Sequence, residues 1–117
     1  MQVLIETRDI AAVDIKETAE KRVRFAIRRL AWLVPLARVQ LSDINGPRGG
    51  VDKRCQIELK TDGNGIVVVT AVARDWRTAL DSAIARASRA LLRSVQRSKK
   101  QQQQQRPMHT QGMATAL

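Results

Sequence analysis

Residues 75–97 read DWRTALDSAIARASRALLRSVQR. Leu80, Ile84, Ala87, Leu91 and Val95 recur in it at helical spacing and make one apolar stripe. Arg86, Arg89, Arg93 and Arg97, continued by Lys100, are 3, 4, 4 and 3 residues apart, which gathers them within an arc of about 80° away from that stripe. Asp75 stands where an N-cap belongs. The stretch therefore reads as a helix docked by one side and presenting a ladder of cations by the other. Its apolar stripe needs a flat apolar partner, and a β-sheet face supplies one. Positive charge spaced evenly along a rigid rod suits a ligand whose negative charges also lie along a line, above all a nucleic-acid backbone.

Working back from this helix, Gln2 to Thr7 is a short run rich in strand formers. Asp14 with Glu17 makes a capping box for a second helix, whose apolar positions Ala19, Val23, Ala26, Ile27, Leu30 and Val34 continue until Pro35 stops it. Its outward side is again cationic, with Lys21, Arg24 and Arg28 in one row and Arg22 and Arg29 in another. Arg38 to Ser42 alternates, placing Val39 and Leu41 on one face; Lys53 to Lys60 does the same with Cys55, Ile57 and Leu59 inside and Arg54, Gln56, Glu58 and Lys60 outside. Gly46, Pro47, Gly49 and Gly50 mark the turn-rich connection between them. After Asp62-Gly63-Asn64-Gly65, the run Ile66 to Ala73 is a strand whose consecutive valines leave its register open.

The order is βαβββα. A helical crossover lets the first two strands lie parallel, and the others follow as antiparallel hairpins. With both helices on one sheet face, the expected fold is a two-layer α+β sandwich over residues 1–98. From 99 to 117 the chain turns to Lys99, Lys100, five glutamines at 101–105 and a polar remainder, a composition that cannot build a core and predicts a disordered tail.

Lys and Arg number 21 against 11 Asp and Glu, a net charge of +10, which confines the partner to polyanions. A membrane surface is disfavoured, because the apolar faces of the helices are needed for the core. The run from Met1 to Ile5 is too short for a leader and is followed by Glu6, Arg8 and Asp9, and no window approaches the roughly 20 apolar residues of a span. A cytoplasmic protein is expected. Cys55 is the single cysteine and falls on an inward strand position, as a small buried hydrophobe does. The single histidine, His109, lies in the tail, so the folded part offers no His base and no His-containing metal site. Gly46 to Gly50 lacks the Lys-Ser/Thr ending of a phosphate loop, and Asp43 and Asp52 are ordinary turn and strand-end residues. No catalysis, metal, cofactor or small-molecule substrate is expected. Phe25, Trp32 and Trp76 are the only aromatics, and none sits on a strand to make a base-stacking sheet. Trp76 falls near the apolar side of its helix. Phe25 and Trp32 fall beside Lys21 and Arg28, where they either cover arginine stems or stack on a base.

Asp43 to Cys55 follows the form DxNGPxGGxDKxC, and Asp75 to Asp81 the form DxxxA[IL]D, continued at Arg86, Arg89, Leu91 and Arg93. In both, the chain resembles the ribosome hibernation-promoting factor and ribosome-associated inhibitor family, also called the sigma-54 modulation family, over residues 1–98. The resemblance implies a fold like that of double-stranded-RNA-binding domains and a protein, monomeric when free, that binds ribosomal RNA of the small ribosomal subunit in the mRNA and tRNA channel and keeps idle ribosomes inactive. It implies RNA contacts at Lys21, Arg22, Arg24, Arg28, Arg29, Arg86, Arg89, Arg93 and Arg97, with Arg48, Lys53 and Arg54 as further loop contacts. Trp76 and Arg77 stand where many relatives have an apolar residue and an aromatic. The second domain with which longer members pair ribosomes has no counterpart in the Gln-rich tail, so pairing by this chain itself is not expected. Two other readings stay open, a general double-stranded-RNA-binding protein and an interaction module acting on a sigma factor.

Overall fold

The computed structural model describes residues 1–8, 14–44 and 53–115, with side chains through residue 97. Strand β1 (Gln2–Thr7) is followed by helix α1 (Lys16–Ile27), a 3-10 helix (Arg28–Leu33), strands β2 (Leu36–Asp43), β3 (Lys53–Lys60) and β4 (Ile66–Ala73), and helix α2 (Trp76–Thr115). The four strands form one sheet in chain order, β1 parallel to β2 and the other neighbours antiparallel. This is the expected βαβββα sandwich.

Alternation sets the layers. The row Ile5, Val39, Ile57 and Val69 crosses the inner sheet face in register. Val39 and Ile57 are almost fully buried there, together with Ala37, Leu41, Cys55 and Leu59. Against them α1 buries Ala19, Val23 and Ile27, and α2 buries Ala79, Leu80, Ala83, Ala87 and Leu91. Ala79, Ala83 and Ala87 follow one another at four-residue spacing, and their short side chains let α2 lie close over β3 and β4. Burial pushes the Cys55 thiol up to about 12, so at neutral pH it is protonated and packs as a hydrophobe.

The turn before β4 fixes the register that its valines leave open. Gly63 and Gly65 both have positive φ, 84° and 77°, a conformation that glycine adopts without a Cβ clash. The Thr61 amide donates to the Gly65 carbonyl at 3.1 Å, and Lys60 then pairs with Ile66. Because side chains alternate, that one pairing turns Val67 and Ala71 inward and leaves Ile66, Val68 and Val72 exposed on the open face.

Two local expectations need correction. The capping box at Asp14 does not form, because residues 14 and 15 are already wound in a 3-10 turn; Ile15 is the N-cap, in helical rather than extended geometry, and no side chain caps the helix. The α-helix does not run to Val34 but tightens to 3-10 geometry at Arg28. At three residues per turn Ile27, Leu30 and Leu33 come into line, so Leu33 becomes a core residue. The backbone of α2 is helical to Thr115. By contrast the Asp75 cap forms as expected, with the Thr78 amide donating to Asp75 Oδ1 at 2.7 Å and the Thr78 hydroxyl to Oδ2 at 3.0 Å. Those bonds, the amide first, hold the Asp75 carboxyl below its ordinary pKa.

Candidate nucleic-acid interface

The predicted cations divide into two groups once their neighbours are considered. On α1 and at the start of the 3-10 helix that follows it, most carry an acid partner or a carbonyl. Lys21 pairs with Glu17 and Arg24 with Glu20, each at 3.2 Å and one helical turn apart, and Arg24 also donates to the Met1 carbonyl at 2.9 Å. Arg22 pairs with Asp81 across the two helices. Arg28 donates to the Phe25 carbonyl at 2.7 Å and holds its guanidinium carbon 4.0 Å from the Phe25 ring centroid. Exposed pairs of this kind are worth roughly 0.2–1 kcal/mol, weak enough for a phosphate to displace the carboxylate.

Arg29, Arg89, Arg93 and Arg97 differ, for they are exposed and make no ion pair or hydrogen bond with a described residue. Arg86 does not stand free on the solvent side with them. Its guanidinium donates to the Thr70 carbonyl at 2.8 Å and so blunts the β4 edge. That bond also orients the ladder. Asp81, Ala85 and Ser88 face α1, and the arginine row lies roughly 120° around α2 from them, toward the β4 flank. The helix layer therefore carries two cationic strips, one on α1 and one on the far shoulder of α2.

The further loop residues do not join either strip. Lys53 pairs with Asp43 at 2.8 Å and lies 5.4 Å from the Trp76 ring centroid, which ties the ends of β2 and β3 to the start of α2. Arg54 points from the open sheet face, where it donates to Gln56 at 2.9 Å, and thus lies on the opposite side of the molecule from the helices. Arg48 falls outside the described residues.

Between the helices runs a groove of about 630 Å³, walled by Lys21, Arg22 and Phe25 from α1 and by Asp81 and Ser88 from α2, and floored by Ala26, Ile84 and Ala85. Phe25 remains 66% exposed on its wall and Trp32, farther along the same surface segment, 75% exposed. The carboxylates and this groove are what reading the cations alone misses. Glu17 and Glu20 are visible at i,i+4 spacing from Lys21 and Arg24, but the pairing of Arg22 with Asp81, distant by 59 positions, requires the fold.

Among the described residues no cluster of His, Cys, Asp and Glu could hold a metal ion, and no helix is long and apolar enough to cross a membrane. A comparison with curated proteins gives no match. Among solved structures the chain is similar to the N-terminal domain of Protein Y from Thermus thermophilus, at 25% identity and a TM-score of 0.55, over 80% of this chain and 96% of that one. It shares its fold with a ribosomal subunit interface protein from Coxiella burnetii, at 14% identity and a TM-score of 0.60, over the same shares of the two chains. The family described as sigma 54 modulation protein / S30EA ribosomal protein matches residues 6–99, and with that match over most of its length the chain belongs to this family.

Proposed function

We propose that the protein is a cytoplasmic, ribosome-associated hibernation factor that binds ribosomal RNA of the small subunit in the mRNA and tRNA channel and keeps idle ribosomes inactive. The observation that carries this reading is the row Arg89, Arg93 and Arg97, three exposed guanidinium groups without an acid partner among the described residues, on one flank of a rigid helix in a chain of this family. Arginine's planar fork engages phosphate oxygens bidentately, and a fixed row of forks needs little ordering on binding. Inhibition then requires only occupancy. A protein lying along RNA in the channel and a tRNA or mRNA exclude each other, and no bond is made or broken. Residues 1–98 carry the activity on this reading, and 99–117 add only nonspecific attraction through Lys99, Lys100 and Arg106.

In a purified translation system the expected inhibition scales with the ratio of protein to ribosomes, is relieved by excess initiator tRNA and mRNA, and leaves ribosomal RNA intact on a gel. Inhibition at a small fraction of the ribosome concentration, or cleaved RNA, would replace this reading with an enzymatic one. Ile66, Val68 and Val72, exposed on the open face of β4, favour a second reading in which that face meets a protein. Their replacement by Thr leaves translation inhibition unchanged if the helix layer alone is responsible.

A further inference from the structure

The groove between α1 and α2 combines two properties that no single simple partner surface satisfies. Its floor, Ala26, Ile84 and Ala85, is apolar, and Phe25 on its wall keeps 66% of its surface exposed. Its rim carries Lys21 and Arg22 on the α1 side, in exposed pairs with Glu17 and with the groove residue Asp81, and Arg28 stacked on Phe25 adds a cation with no acid partner among the described residues. An apolar helix laid in the groove would bury the exposed Lys21–Glu17 and Arg22–Asp81 pairs against hydrocarbon, and the lost hydration of those charges is costly. A second copy of the chain would bring another net charge of +10 to the same rim. A nucleotide satisfies both halves of the site, since its base is a planar, largely apolar surface and its phosphate is an anion.

Resting on the RNA-binding reading above, we propose that this groove receives an unpaired nucleobase, stacked against Phe25, with the flanking phosphates on Arg28 and, in exchange for Glu17, on Lys21. The guanidinium of Arg28, held 4.0 Å from the ring centroid, adds a second planar cationic surface beside the base. The arginine row supplies sequence-independent attraction to backbone; the groove selects RNA whose bases are splayed out of a helix. Paired duplex keeps its bases stacked inside and has nothing to offer the groove. The two strips are consequently parts of one surface on which the backbone passes over α2 and one base drops between the helices.

The test compares a short oligoadenylate with an abasic oligomer of the same length and charge, titrated against the full chain at low salt. Wild-type protein is expected to bind the oligoadenylate roughly tenfold more tightly, the order of one base–aromatic stack. Phe25→Ala is expected to erase that difference while leaving both the affinity for the abasic oligomer and its salt dependence unchanged, and Phe25→Trp to retain it. Phe25 is mostly exposed, so the far-ultraviolet spectrum and melting temperature of both variants should match wild type. Equal wild-type affinity for the two oligomers, or a preference that survives Phe25→Ala, would overturn base docking and leave the phosphate contacts standing. No binding to either oligomer would overturn the RNA-binding reading and this inference together. Association of the free protein that Phe25→Ala abolishes would give the groove to a second copy instead.

Discussion

Leu91→Asp is expected to abolish the cooperative fold, whereas Leu92→Asp, one position on, leaves it intact. Leu91 is 1% exposed and packs in the core between α2 and the sheet; Leu92 is 49% exposed. The first change removes a buried leucine, at about 2–5 kcal/mol, and leaves in its place a carboxylate with no partner in an apolar layer. Small domains of this size are stable by only about 5–15 kcal/mol, so the two losses together remove most or all of it. The second change only adds a charge to the surface, where effects stay within about 0.5 kcal/mol. Circular dichroism during thermal melting reads both. A cooperative transition in Leu91→Asp would mean that α2 is not seated on the sheet by this stripe.

Replacing Arg89, Arg93 and Arg97 together by Gln is expected to abolish binding to small subunits at physiological salt without lowering the melting temperature. None of the three makes an ion pair or hydrogen bond with a described residue, so the fold loses no polar contact when they are neutralised. RNA binding loses three phosphate contacts, and the log–log salt slope becomes shallower by roughly 2 to 3, since each contact contributes about 0.7–0.9. Arg86 is left out of this set because its bond to the Thr70 carbonyl gives it a structural task at the β4 edge. Cosedimentation of the triple variant at wild-type levels in physiological salt would remove α2 from the interface.

Much of this architecture is legible in the chain because two of its strands are wet on one side. Cys55, Ile57 and Leu59 alternate with Arg54, Gln56 and Glu58, so their inward direction needs no structure to see, and the same alternation places Arg54 on the outer face. β4 is apolar on both faces at Ile66, Val67 and Val68, so alternation is silent there, and the register comes from the positive-φ glycines of the preceding turn. The change of winding at Arg28 is also hidden, since the α and 3-10 repeats coincide at Ile27 and Leu30 and differ only when Leu33 is buried in addition to Val34. At the interface, the number and spacing of cations are legible, but their availability is not. Arg22 and Arg86 look free along their own helix and are occupied by Asp81 and the Thr70 carbonyl, groups that tertiary structure alone brings near. The groove is hidden for the same reason, because its wall and floor come from helices far apart in sequence.

Arginine footprinting with phenylglyoxal, on the free protein and on its complex with purified small subunits, puts the helix layer and the open sheet face in direct competition as the RNA surface. The helix layer offers Arg29, Arg89, Arg93 and Arg97, and the sheet face offers Arg38, paired with Glu6, and Arg54. In the complex, the expected result read by mass spectrometry is loss of modification at the helix-layer arginines with Arg38 and Arg54 as reactive as in the free protein. Protection of Arg38 and Arg54 with undiminished modification at Arg89, Arg93 and Arg97 would contradict the assignment of the helix layer as the surface that meets ribosomal RNA.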